Sequence, residues 1–84
     1  MYYVYVLISE KDNMFYTGYT EDIERRIAEH QSGKVSSTRH RLPIMLVYYE
    51  VSFDQSDALH REKYLKSTYG KRYIRNRIKH YLND

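Results

Sequence analysis

The 84-residue chain has no cysteine, no tryptophan, one proline (Pro43) and three glycines (Gly18, Gly33 and Gly70). Without thiols there is no disulfide framework and no thiolate metal site, and the composition fits a reducing compartment. With so little proline and glycine, and no repeat or low-complexity tract, nothing marks a linker, so residues 1–84 read as a single domain. No apolar run approaches the roughly 20 residues that a membrane span needs. The opening Met1-Tyr2-Tyr3-Val4 lacks the basic, apolar, small-residue order of a secretory signal, which predicts a cytoplasmic protein with no membrane partner. A chain this short buries only about 60–65% of its unfolded surface, so every residue spent on polar chemistry inside the core is a real loss.

What the chain does have is tyrosine, 11 residues against two phenylalanines, and an uneven charge. Residues 1–60 hold six Lys and Arg against nine Asp and Glu, whereas residues 61–84 hold eight basic residues against two acidic ones. A basic terminal third interleaved with Tyr64, Tyr69, Tyr73 and Tyr81 is the composition of a surface that meets a phosphate backbone. A solvated helix face would have the same charge.

Tyr2 to Ile8 is apolar and aromatic without interruption, which predicts a central strand buried on both faces. Lys11-Asp12-Asn13 is turn chemistry, and Met14 to Tyr19 is the second arm of a hairpin. Gly18 inside that arm points to close backbone approach or a bend. Thr20 is the expected N-cap of a helix running to about Gln31, with Glu21, Asp22 and Glu24 near its positive end. Lys34 to Pro43 reads as a polar, basic loop and Ile44 to Val51 as a third buried strand. Asp54 or Ser56 caps a second helix ending near Ser67, and Gly70 separates it from a third, Lys71 to Leu82, with Ile74, Ile78, Tyr81 and Leu82 on its apolar side. The predicted fold is α+β, a small three-stranded antiparallel sheet flanked by three helices in the order ββαβαα.

Two helices break their own periodicity. On the first, the i, i+3, i+4, i+7 stripe is Ile23, Arg26, Ile27 and His30, which puts an Arg and a His on the face that should meet the sheet. On the second, Glu62 lies one turn from Ala58 and from Leu65. A carboxylate in an apolar stripe must be paired, hydrogen-bonded or bound to a cation, and an ion pair with Arg26 is the plain structural reading. Three such departures around one small sheet favour a polar pocket with a purpose.

At these residues the chain resembles the GIY-YIG nuclease domain family, in its small single-domain bacterial branch. Tyr3-Val4-Tyr5 is similar to the first signature triplet and Tyr16-Thr17-Gly18 to the second. The spacing of Asp22, Ile23, Arg26 and His30 resembles the family's first helix, and Glu62 stands where the family has a metal-binding Glu. Tyr3 replaces the Gly of the first triplet and Thr17 the Ile of the second, and Asn76 is the one candidate for a late Asn seen in some members. The resemblance implies divalent-metal-dependent hydrolysis of DNA phosphodiesters. It implies Tyr5 as the general base or the orienter of the attacking water, Tyr16 as a hydrogen-bond partner of the phosphate, and Glu62 as ligand to one Mg²⁺ or Mn²⁺.

The residue chemistry is compatible with these roles. A phenol ionises near pH 10 and is a weak base at neutral pH unless positive charge is near. Arg26 supplies such charge and can clamp a phosphate. His30, one turn along, is the rival base or the proton relay to Tyr5. Tyr5, Tyr16, Arg26, His30 and Glu62 are therefore expected to line one concave site on the sheet face that carries the first helix. Each has a bland alternative, with Tyr5 a core aromatic, Tyr16 a cross-strand partner and His30 a structural histidine. Lys34, Arg39, Arg41, Lys71, Arg72, Arg75 and Lys79 are the candidate DNA contacts, and they would read backbone rather than base sequence. Specificity would come from DNA structure or ends, from self-association, or from a partner protein. The alternatives to an endonuclease are a nucleic-acid-binding module on the same fold with little catalysis and a domain docking its basic helix on an acidic partner.

Overall fold

The computed structural model describes residues 1–83, which form an antiparallel sheet of three strands with helices on both faces. The strands β1 (Tyr2–Ser9), β2 (Phe15–Thr20) and β3 (Ile44–Ser52) lie in the order β2-β1-β3. The helices are α1 (Ile23–Gln31), α2 (Gln55–Lys66), α3 (Thr68–Arg77) and α4 (Lys79–Asn83). The predicted α+β class and element order are those observed, with the third helix dividing at Ile78 into α3 and α4.

β1 is central because both of its faces are apolar, and Val4, Tyr5, Val6 and Leu7 are all at most 1% exposed. Its alternating side chains serve two separate cores. Val4 and Val6 pack with Phe15, Ala58, Leu65 and Ile74 on the α2–α3 side. Tyr5 and Leu7 pack with Ile44, Ile23 and Ile27 on the α1 side. Arg61 ties α2 to β3 through a two-pronged pair with Glu50, at 2.7 and 3.2 Å.

Several boundaries and burials differ from the sequence reading. β3 is an edge strand rather than a buried one, with Tyr49 and Val51 exposed, because the nine-residue α1 covers only part of that face. Asp22 rather than Thr20 caps α1: its carboxylate accepts from the Arg25 amide, while the Thr20 hydroxyl serves the Asp22 amide. Asp54 caps α2. Gly70 does not separate helices. It lies inside α3, which Ser67 caps, and a Cβ there would run into the Tyr64 carbonyl and the Leu65 backbone. Glycine is thus required by the close approach of α3 to the end of α2. Tyr81, expected on the apolar side, is exposed on α4.

Candidate active site

The β1–β2 register pairs Tyr5 with Gly18 and Leu7 with Tyr16, so Tyr5 and Tyr16 share the sheet face that carries α1. Gly18 is the reason Tyr5 can lie where it does. Its missing side chain leaves the space that the Tyr5 ring and hydroxyl cross toward the β2 edge, and a Cβ would collide with both. The glycine signal in the sequence is therefore a close approach, by a side chain rather than by a second backbone.

The Tyr5 hydroxyl lies 2.8 Å from Nε2 of His30, and Nδ1 of His30 lies 2.7 Å from Oγ1 of Thr38. All three residues are at most 1% exposed. The Tyr5 and Tyr16 rings meet the imidazole edge-on, at centroid distances of 5.5 and 5.3 Å. Burial first, and then the positive charge of Arg26, lower the His30 pKa to about 4, against a weaker opposing pull from Glu29. The imidazole is therefore neutral at pH 7 and has one bare nitrogen. Burial pushes the Tyr5 phenol up from its ordinary value, the Arg26 guanidinium works against that rise, and the charges of Tyr16 and Glu62 add to it. At neutral pH the pair is a phenol and an imidazole, not a phenolate and an imidazolium.

Arg26 is at the rim, its side chain 37% exposed, where it pairs with Glu29 at 3.1 Å and lies against the Tyr5 oxygen. Glu62 departs from expectation in two respects. It is not paired with Arg26 but with Lys66, one turn along α2, at 3.1 Å. Its helix also packs on the opposite face of the sheet, against Val4 and Val6. The Glu62 charge nonetheless acts on the Tyr5 hydroxyl. That influence is the weakest of those acting on the phenol, and among the described residues the one partner of Glu62 within ion-pair distance is Lys66 on its own helix. The fold thus gathers Tyr5, Tyr16, His30 and Arg26 on the α1 side, whereas Glu62, expected on the same face, stands on a helix of the α2 side.

The basic candidates divide by what they already touch. Arg41 pairs with Asp12 at 3.1 Å and donates to the Met14 carbonyl, which pins the β1–β2 loop to the segment before β3 and lowers the Asp12 carboxyl below its usual range. Arg75 stacks 4.4 Å from the Phe15 ring centroid and donates to the Asn13 carbonyl. Lys34, Arg39, Lys71, Arg72 and Lys79 are exposed, with Arg72 over the exposed ring of Tyr69. Two residues of the cluster are not among the site residues expected from the sequence: Thr38, against His30, and Ser37, whose hydroxyl donates to that of Tyr16 at 3.3 Å. A hydroxyl in a run of Ser and Thr has nothing to distinguish it until its burial is known.

A groove of about 380 Å³ lies elsewhere on the α1 face, between Ile23, Ile27, Leu46 and Tyr49. Glu24 is its one carboxylate and it holds no histidine, arginine or lysine, so it lacks the convergent polar groups that the Tyr5 cluster has.

Residues 1–79 match the GIY-YIG catalytic domain family. A UPF0213 protein of Staphylococcus haemolyticus is 45% identical over 67 residues, spanning 79% of this chain and 80% of its own. A UPF0213 protein of Haloquadratum walsbyi is 48% identical over 67 residues, with 77% and 75% spanned. The solution NMR structure of a UPF0213 protein from Bacillus halodurans superimposes with a TM-score of 0.55 and 38% identity, over 88% of this chain and 82% of that one.

Proposed function

This chain belongs to the GIY-YIG catalytic domain family, and on that premise we propose that it is an endonuclease that hydrolyses DNA phosphodiesters with a divalent metal ion. The observation that carries the reading is the buried Tyr5–His30 hydrogen bond beside a guanidinium at the rim. A structural tyrosine needs no neutral imidazole on its hydroxyl, and a structural histidine of an 84-residue domain is not placed in the core without cost.

The proton path follows from the protonation states. Neutral His30 accepts the Tyr5 proton at Nε2 while the phenol oxygen takes one from the attacking water, so the phenol need never become a free phenolate. The water oxygen then bonds to phosphorus as the bond from phosphorus to one sugar oxygen breaks, and that leaving oxygen takes a proton from solvent. Arg26, at the rim, would donate to the non-bridging oxygens, and Tyr16 would add a hydrogen bond from the same face. Glu62 is the residue that would hold the metal. Among the described residues no group of three or more His, Cys, Asp or Glu comes together, so a protein cage does not fit the chain. A single half-buried carboxylate does fit an ion that keeps its waters and accepts phosphate oxygens, as Mg²⁺ or Mn²⁺ does. Such an ion, when bound, would neutralise charge on the phosphate. Exposed Lys34, Arg39, Lys71, Arg72 and Lys79 would hold the duplex or its ends by the backbone, independent of sequence.

The Glu62–Lys66 pair favours the second reading, a binding module, because it neutralises the carboxylate that a metal would need. Purified protein incubated with branched, flapped, duplex and single-stranded DNA, in Mg²⁺, Mn²⁺ or chelator, separates the two. Metal-dependent cleavage lost in Tyr5→Phe is expected. Salt-sensitive binding with no cleavage of any substrate would leave the binding module.

A further inference from the structure

A neutral imidazole has a single N–H, and His30 has two hydroxyls to satisfy, Tyr5 at Nε2 and Thr38 at Nδ1. The neighbours of Tyr5 decide between the two tautomers. Arg26, which can only donate, lies against the phenol oxygen, and Nε2 is the acceptor within hydrogen-bond distance for the phenol proton. A phenol that donates to Nε2 requires the proton on Nδ1, where Thr38 Oγ1 is the partner at 2.7 Å. Thr38 is held for this purpose from both sides. Its amide donates to the Val35 carbonyl at 3.1 Å, its carbonyl accepts from the Arg41 amide at 2.9 Å, and Val35 and Thr38 are both buried.

We propose that Thr38 is a positioning residue that fixes His30 as the Nδ1–H tautomer and so presents Nε2 to Tyr5 as a proton acceptor. The inference rests on the proton-handling roles given above to Tyr5 and His30. During the reaction Tyr5 transfers its proton to Nε2 and takes one from water, and the resulting imidazolium donates from both nitrogens, to the Tyr5 oxygen and to Thr38 Oγ1. Thr38 accepts throughout and no proton passes to it. It has the place of the third group that orients the base in a catalytic triad, filled here by a hydroxyl instead of a carboxylate. A carboxylate at that position would raise the imidazole pKa, whereas a hydroxyl orients the ring without adding charge.

The test reads the tautomer directly, by ¹⁵N-edited imidazole spectra of the protein at neutral pH, with the His30 signals assigned through His30→Gln. The wild-type protein is expected to show Nδ1–H, Thr38→Val and Thr38→Ala to show a shift toward Nε2–H, and Thr38→Ser to keep Nδ1–H. Ser37→Ala, which touches Tyr16 and not His30, should leave the tautomer as it is. On cleaved DNA, Thr38→Val should lower kcat by about 100-fold with KM unchanged, a typical loss for a misplaced proton acceptor, and Thr38→Ser should restore it. An Nε2–H tautomer in the wild type, or an unchanged tautomer in folded Thr38→Val or Thr38→Ala, overturns the proposal. The wild-type spectrum decides even if those variants do not fold. Because the spectra need no turnover, a protein that cleaves nothing refutes the nuclease reading and leaves the tautomer result standing, while Tyr5-dependent cleavage with an indifferent Thr38 refutes this inference alone.

Discussion

The burial of His30 should make this domain sensitive to mild acid in a way that a single substitution removes. In the folded protein its pKa is lowered to about 4, first by burial and then by the Arg26 charge, whereas in the unfolded chain it returns to its ordinary 6.5. The unfolded state therefore binds a proton that the folded state refuses. A depressed histidine pKa means stability that is complete above about pH 6.5 and is lost as the pH falls toward the folded value. At about 1.4 kcal/mol per pKa unit, the full loss is about 3 kcal/mol, a large share of the 5–15 kcal/mol that holds a typical domain together. His30 is fully buried, so solvent screening does not reduce the effect as it would at the surface. Urea unfolding of the wild type and of His30→Gln at pH values from about 8 down to 4 measures it. His30→Gln is expected to be less stable at neutral pH, having lost its contacts with Tyr5 and Thr38, but to have the shallower decline below about pH 6.5. Asp12, whose carboxyl is held low by Arg41, contributes its own loss at lower pH, and equally in both proteins. Parallel pH dependences for the two would show that His30 is not buried neutral, and would remove the basis for its role as a proton acceptor.

Glu62→Gln keeps the shape of the side chain and removes its charge, so cleavage should fall by orders of magnitude while DNA affinity in chelator holds or rises; unchanged cleavage in the folded variant would end the metal assignment. Gly18→Ala should displace the Tyr5 hydroxyl, costing roughly 1–3 kcal/mol by overcrowding and weakening cleavage more than DNA binding, as measured by unfolding and by kcat against Kd. Arg72→Gln with Lys79→Gln should lower affinity alike for all DNA sequences and flatten the salt dependence by about 0.9 per lost duplex contact. Arg75→Gln should instead cost about 0.5–1 kcal/mol of stability, because its guanidinium stacks on Phe15, and a change in affinity alone would contradict that packing role.

How much of this was legible in the sequence depended on whether a residue violated a local rule. The unbroken apolar run of β1 announced a central strand, and Gly18, Arg26, His30 and Glu62 each stood out as the wrong residue type for their place in a strand or helix. Thr38 broke no rule and was invisible as a site residue, since hydroxyls are ordinary in a loop and only its complete burial gives it meaning. The partners of Arg26 and Glu62 were not legible either. Each has an opposite charge one turn away on its own helix, Glu29 and Lys66, and these local pairs form without any tertiary cost, whereas a Glu62–Arg26 pair would have to join two layers. The edge position of β3 was hidden for another reason: its apolar residues match those of a buried strand, and its exposure follows from how little of the face the short α1 can cover.

The division of the core into two clusters explains how so small a domain can hold polar chemistry inside. The α2–α3 side is built from Val4, Val6, Phe15, Ala58, Leu65 and Ile74, with no ionisable group among its buried members, and can supply most of the apolar burial. The α1 side has fewer buried apolar residues, Tyr5, Leu7 and Ile44, and it is there that His30 and Thr38 are enclosed. Because β1 separates the two, the polar cluster does not interrupt packing in the larger core. The same separation places the candidate metal ligand on the opposite side from the proton-handling pair, so the two can meet only where the sheet ends. At the β2 edge the missing side chain of Gly18 gives the Tyr5 hydroxyl its place, and the Glu62 charge is the weakest of the influences that act on that hydroxyl.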